Sequence, residues 1–214
     1  RLISGRSNAR KGIVRGNLLD PTEAEKAVAG MDALVYIPRS LTTPAPTSPE
    51  EEHAELDAAT RATYHLYMAA IRAGVKKIMH VSSLSVMEGW PKDYIVTEIW
   101  SPCPAPSARS LGFYLSEEIS REVTRESEMF VTCLRMATLV REKDVIGQPF
   151  NPTWLEVRDA ASACRFALDW EPHWSRWIRT HIAPKHPYAV WPSLHTSSSR
   201  HGEVKWDPKY DFNA

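Results

Sequence analysis

The chain has 214 residues, and its 26 Lys and Arg balance 26 Asp and Glu to a formal net charge of zero. That balance argues against bulk-charge binding of nucleic acid or of an anionic membrane surface, so neither is expected as a partner. At 43% hydrophobic and 24% charged the composition is that of an ordinary globular protein, and no apolar run approaches the roughly 18 residues that would span a membrane.

In chain order, Leu2-Ile3-Ser4 reads as a short strand. Asp20-Pro21-Thr22-Glu23 supplies an N-cap, a proline at the first helical position and an early acid, and Gly30 closes that helix. Ala33 to Ile37 is a short apolar run ended by Pro38, as a buried strand would be. Residues 41–49 are rich in Thr, Pro and Ser and read as a loop. Ser48-Pro49-Glu50-Glu51-Glu52 opens a second helix that Gly74 ends, with Leu56, Ala59, Leu66 and Ala70 among its core-facing residues. The acidic run complements the helix dipole and is not read as a metal site. Lys77 to Ser83 is the next strand, followed by a proline-punctuated loop over 88–110 and a third helix over 114–128. Phe130 to Leu134 reads as a strand, Val157 to Trp170 as a helix, and Arg176 to Ala183 as a further strand. The tail from residue 184 shows little regular pattern.

Strand and helix alternating at this spacing predict an α/β fold, a parallel sheet covered by helices on both faces. In such sheets ligands bind at the carboxyl ends of the strands. Attention therefore falls on Ser4–Ser7, Asn17–Leu18, Ile37–Arg39, Ser82–Ser85 and Arg135–Ala137. The three cysteines, Cys103, Cys133 and Cys164, form no C-x-x-C pair and read as reduced thiols of a cytoplasmic protein. Arg1 is followed by a polar stretch, so no signal peptide is read. No histidine pair has metal-ligand spacing, and no metal is expected.

Four segments resemble the NAD-dependent epimerase/dehydratase family of the extended short-chain dehydrogenase/reductase superfamily. Gly16-Asn17-Leu18-Leu19-Asp20-Pro21, running on to Gly30 and Tyr36, is similar to the family's "GDLTD…GvDaVvH". Ala73-Gly74-Val75 through Val81-Ser82-Ser83-Leu84-Ser85-Val86 is similar to "aGVkrivyvSSaaVyG". Leu155 to Ala161 resembles the "hVrDvA" helix start, and Val204 to Phe212 the closing "lGWePkydf".

The resemblance implies a Rossmann-like doubly wound parallel sheet that lacks its first strand and glycine-rich loop, with a small C-terminal lobe. It divides the chain into a partial NAD(P)-binding domain over 1–150 and a C-terminal helix, strand and substrate-lobe remnant over 151–214. No GxxGxxG occurs, the chain has no initiator Met, and its first strand resembles the family's second. The reading therefore expects a fragment, which expressed alone would aggregate or stay partly unfolded because the central strand is missing.

The family's chemistry implies that Ser83 hydrogen-bonds a substrate oxygen, that a Tyr exchanges the hydroxyl proton, and that a Lys four residues later lowers the Tyr pKa. Around that motif the chain reads Phe113-Tyr114-Leu115-Ser116-Glu117-Glu118. Two registers are open: Phe113 with Glu117 aligns Ser116 but supplies no hydroxyl, and Tyr114 with Glu118 keeps the hydroxyl. The second is preferred, giving Ser83, Tyr114 and Glu118 as catalytic candidates. In either register Glu replaces Lys, and a carboxylate beside a phenol raises its pKa. Arg121 could restore a positive charge there, and the family Asn aligns with Ala59.

Gly5, Arg6, Ser7, Asn17, Leu18, Ile37, Pro38 and Val81 are the implied cofactor-binding positions. Arg6, suited to a ribose 2′-phosphate, favours NADP over NAD. The short stretch between Arg135 and Arg158 favours a small substrate over a bulky nucleotide sugar. Two functions follow: an NAD(P)-dependent oxidoreductase, epimerase or dehydratase using Tyr-assisted hydride transfer, or a catalytically idle NAD(P)-binding sensor or scaffold. A homodimer through helices 49–73 and 114–128 is the implied assembly.

Overall fold

A computed structural model gives the fold and describes residues 2–3, 13–14, 16–41, 43–149, 151–170, 175–184, 206–210 and 212. Strands β1 (Leu2–Ile3) and β2 (Ile13–Val14) pair in parallel as a separate two-stranded unit. Helix α1 (Pro21–Val28) starts where the sequence places it: the Asp20 side chain accepts from Thr22 N–H, and Ala24, Ala27 and Val28 are buried. Next come β3 (Ala33–Tyr36), a 3-10 turn over Arg39–Leu41, α2 (Pro49–Ala59) and α3 (Arg61–Arg72). Then follow β4 (Lys77–Ser83), a 3-10 turn over Leu84–Met87, α4 (Ala108–Arg125) and β5 (Phe130–Met136). The chain continues through β6 (Thr138–Val140), α5 (Glu142–Val145), β7 (Trp154–Glu156), α6 (Val157–Asp169) and β8 (Trp177–Ile182).

The main sheet is parallel throughout, in the order β3-β4-β5-β8. Helices cover both faces, the doubly wound arrangement expected from the alternation. Successive residues of β4 show the division. Ile78 clusters with Leu66 and Ala70 of α3, while Met79 and Val81 cluster with Ala160 and Ala163 of α6. On the α3 and α4 side lie His80 and Ser82, buried and hydrogen-bonded. The C-terminal segment supplies β8 to this sheet and α6 to its face. Its last described residues are held by Asp159, which accepts from the backbone N–H groups of Lys209 and Tyr210 at 3.0 Å.

Three expectations are corrected. The single helix over 49–73 is two helices, α2 and α3, because Thr60 turns its hydroxyl back onto the Leu56 carbonyl at 2.7 Å, a bond that bends helices. The helix expected over 114–128 begins at Ala108 and ends at Arg125. Its cap is Ser107, whose Oγ accepts from Ser110 N–H at 3.2 Å. The loop over 88–110 is correspondingly shorter. Between Arg135 and Arg158, β6 and β7 pair in parallel and flank the short α5, elements that the sequence reading did not anticipate.

Helix α4 is unusual in burying polar residues. Ser110, Ser116, Glu117, Ser120 and Thr124 are all inward. Hydroxyls solve part of the problem locally: Ser116, Ser120 and Thr124 donate to carbonyls of their own helix. Gly112 lets α4 approach α2 closely, since a Cβ built there would lie 3.0 Å from Ala59 Cβ.

Candidate functional site

A cleft of about 520 Å³ opens where β4 and β5 end. Its floor includes Ser83 and Met136, the last residues of those strands. Residues 40, 41, 43, 45, 46 and 52, the segments 83–88 and 107–113, and Thr138, Leu139 and Thr153 from the β6 and β7 region form its walls. This is where a parallel α/β sheet is expected to present ligand-binding groups.

Ser83 sits in the cleft, half-buried, and its Oγ accepts from Ser85 N–H at 3.1 Å. The hydroxyl proton is therefore free to be donated to a ligand oxygen. Ser110 Oγ donates to the Ser85 carbonyl at 2.9 Å, tying α4 to this turn. Gly89, just beyond, permits the chain to double back on Cys103: its N–H donates to the Cys103 carbonyl at 2.7 Å, and a Cβ would meet that oxygen at 2.5 Å.

Of the α4 residues in the two candidate registers, Phe113 lines the cleft with Ser83 and is 3% exposed. Tyr114 and Glu118 are not among the cleft-lining residues. Tyr114 is half-buried and packs against the core cluster that contains Leu84, Val86 and Met87. Glu118 is held by Arg121 at 2.6 Å, and Arg121 also pairs with Glu122 at 3.0 Å, so its charge is already engaged on the helix surface. Helical phase explains the arrangement. Once α4 starts at Ala108, residues 110, 113, 117, 120 and 124 fall in one stripe facing the sheet, and 114 lies at its edge, about 100° round the helix from 113.

Four residues after Phe113, Glu117 is fully buried and locked. Both carboxylate oxygens accept from Arg135 of β5, with Nη2 to Oε2 at 2.6 Å and Nε to the two oxygens at 3.0 and 3.1 Å. Ser82 Oγ donates to Oε1 at 2.5 Å. Arg135 Nη1 points to Met87 Sδ at 3.4 Å. Burial works against the Arg135 charge, but the Glu117 carboxylate and its hydrogen bonds more than offset that, and the guanidinium stays charged.

Beside this pair, His80 is enclosed between α3 and α4. Ser116 spends its only proton on the Phe113 carbonyl at 2.8 Å, so its oxygen accepts from His80 Nε2–H at 3.3 Å. His80 Nδ1 then accepts the Tyr67 hydroxyl proton at 2.9 Å. Burial lowers the His80 pKa from 6.5 to about 3, and the ring is neutral.

The remaining expected positions are more scattered. Asn17 is exposed, and its Oδ1 accepts from Leu19 N–H at 3.1 Å. The Leu18 carbonyl meets His65 Nδ1 at 3.1 Å. Ile37 is 52% exposed at the end of β3, and Pro38 behind it is buried. The Val81 side chain lies inside the core at 2% exposure. Gly5, Arg6 and Ser7 lie outside the described residues. Among the described residues, no group of three or more His, Cys, Asp and Glu could hold a metal ion, and no helix is long and apolar enough to cross a membrane.

A nicotinamide dinucleotide fits only part of this arrangement. The strand ends at Ile37 and Ser83, with the adjoining cleft, offer a surface for it. The end that would meet the nicotinamide ribose does not fit in either register, because Glu117 is consumed by Arg135 and Glu118 is paired with Arg121, so neither position offers a cation.

The sequence reading missed Arg109 and Glu88, both in the cleft wall, as well as the partnership of Glu117 with Arg135. The Ser107 cap was the signal that could have set the start and phase of α4.

The sequence profile of a family described as NAD(P)H-binding matches residues 3–151. Among curated protein sequences nothing matches. Several solved structures are similar in fold. A uronate dehydrogenase from Agrobacterium tumefaciens superposes with a TM-score of 0.78 at 18% identity, covering 98% of this chain and 74% of that one. A short-chain dehydrogenase/reductase superfamily protein from the same organism, with bound NAD, gives 0.77 at 18% identity, covering 99% and 85%. A UDP-N-acetylglucosamine 4-epimerase from Bacillus cereus gives 0.70 at 15% identity, covering 98% and 84%.

Proposed function

The chain belongs to the NAD(P)H-binding family, and on that footing we propose a protein that binds a nicotinamide dinucleotide and a small polar molecule side by side but lacks the tyrosine–lysine proton relay. The observation that carries this reading is the pair Phe113 and Glu117. Phe113 occupies the cleft position next to Ser83 and has no proton to exchange, and Glu117 is bound to Arg135 with no exposed surface. The dinucleotide lies along the strand ends at Asn17, Leu18, Ile37 and Pro38, with Gly5, Arg6 and Ser7 completing the adenosine side. Arg6 supports NADP over NAD. Such a protein reports the bound nucleotide to a partner or to a second ligand, a sensor or scaffold role.

Ser83 supports a second reading. A serine hydroxyl in the cleft with a proton to donate suits an oxidoreductase of epimerase/dehydratase type, with Tyr114 as the proton-exchanging group after a rotation of its side chain. Exposed Tyr64, Leu111 and Leu115 on α3 and α4 support self-association through those helices.

Titrating the full chain with NADH and NADPH by tryptophan fluorescence, followed by turnover assays on hydroxylated substrates, tests both. Binding without turnover, unchanged in Tyr114→Phe, is the expected result. Wild-type turnover lost in Tyr114→Phe would establish the oxidoreductase reading instead.

A further inference from the structure

The cleft wall is asymmetric in charge. Among the described residues, Glu52, Glu88 and Arg109 are its ionisable ones. Arg109 is already spoken for: Nε donates to Glu55 Oε1 at 3.1 Å, and Nη2 donates to the Pro44 carbonyl. Glu55 is itself 5% exposed, so that charge pair closes on itself. Among the described residues no hydrogen bond or ion pair engages the side-chain carboxylates of Glu52 or Glu88.

Other charges nearby do not reverse this sign. Glu50 and Glu51 share the first turn of α2 with Glu52. The Glu51 carboxyl is held below its ordinary range by hydrogen bonds from the Thr47 backbone and hydroxyl, with Arg39 adding a smaller attraction. Glu88 is affected in the other direction, since partial burial without a cation beside it raises its carboxyl pKa.

The rest of the wall is hydroxyl-rich, with Ser83, Ser85, Ser107, Thr43, Thr138 and Thr153 contributing. Ser85 Oγ is buried and has no hydrogen-bond partner among the described residues. A buried hydroxyl without a partner is costly, and turning this side chain into the cleft would let a ligand hydroxyl satisfy it.

We propose that this cleft selects a small hydroxylated molecule carrying a protonated amine, and rejects carboxylates and phosphates. The proposal rests on the cleft being the small-molecule site of the reading above. Ligand hydroxyls meet the serine and threonine groups, and the ammonium lies against Glu88 and Glu52. A sugar acid would set its carboxylate against two unpaired carboxylates with no free cation among the described cleft residues to receive it, which is discrimination by repulsion.

Calorimetric titration of the full chain with glucosamine, glucose and glucuronate, each with and without NADPH, tests the proposal. The expected order is glucosamine tightest and glucuronate weakest. Glu88→Gln and Glu52→Gln should each weaken glucosamine by roughly threefold to fivefold, the scale of a partly exposed ion pair. Glu128→Gln, before the opposite end of β5, should leave it unchanged. Glucuronate binding as tightly as glucosamine, glucosamine binding unaffected by both Gln variants, or failure of all three probes to bind would overturn the proposal. Loss of NADPH binding with the glucosamine preference intact would instead count against the dinucleotide reading alone.

Discussion

Glu117 of α4 and Arg135 of β5 face each other with both side chains at 0% exposure, and Nη2 lies 2.6 Å from Oε2. An acid on the helix and a base on the strand have formed a closed pair at one of the two positions where the family resemblance could place a lysine reaching toward ligand. Removing one partner leaves a buried charge uncompensated. Arg135→Met should therefore cost about 3–5 kcal/mol. Adding Glu117→Met should return most of that loss, since paired apolar replacements of buried ion pairs are commonly tolerated. Urea melts of both single variants and the double variant check this. Additive losses would mean that the two residues do not act as a pair.

His80 makes stability depend on pH in one direction. Its pKa falls from 6.5 in the unfolded chain to about 3 in the fold because burial disfavours the charged ring. Between these values the unfolded chain takes up a proton that the native state refuses. The contribution is complete above pH 6.5 and is lost progressively as pH falls toward about 3. The slope from this one group is at most about 1.4 kcal/mol per pH unit. Melts between pH 7 and pH 5 should show it, and His80→Gln should flatten the slope in that window.

The Ser107 cap is worth a separate measurement. Its oxygen accepts from Ser110 N–H at 3.2 Å, and the same residue lines the cleft. Ser107→Ala should destabilise the protein by about 1 kcal/mol, while Ser107→Asp should keep the cap. Equal stability of the Ala and Asp variants would remove the cap from the account of why α4 starts there.

Gly112 and Ala59 form a steric couple between α4 and α2. Gly112→Ala gains about 1 kcal/mol of helix propensity but brings a methyl to 3.0 Å from Ala59 Cβ. Overpacking of this kind costs roughly 1–3 kcal/mol, so a net loss is expected. Ala59→Gly in the same chain should relieve the contact and leave the double variant above Gly112→Ala. If the second change makes matters worse, the contact is not what opposes the first.

Much of the architecture could be read from punctuation. Asp20-Pro21 and Ser48-Pro49 mark helix starts, and the Ala33 and Lys77 segments mark strands; Ala33–Tyr36, read as a buried strand, is instead the edge of the sheet, with Val35 46% exposed, because among the described residues only β4 flanks it there. The break at Thr60 was hidden because threonine is tolerated within helical patterns, and its back-bond becomes visible only in three dimensions. The phase of α4 was hidden for another reason. Its inward stripe is polar, with Ser110, Glu117, Ser120 and Thr124, so hydrophobic periodicity could not reveal it. The same polarity concealed the tie between Glu117 and Arg135, whose partners lie 18 residues apart on different elements. Ser83 was legible from its place after a strand. The acidic cleft wall was not, because Glu52 and Glu88 come together only through folding.

The anchoring of Arg109 has a consequence for kinetics. By bonding Glu55 on α2 and the Pro44 carbonyl in the preceding loop, it cross-braces two walls of the cleft from the first turn of α4. A recess braced in this way resists rearrangement of these two walls when a ligand arrives. Little ordering entropy is then spent on capture, and entry is governed by encounter and desolvation rather than by the closing of a gate.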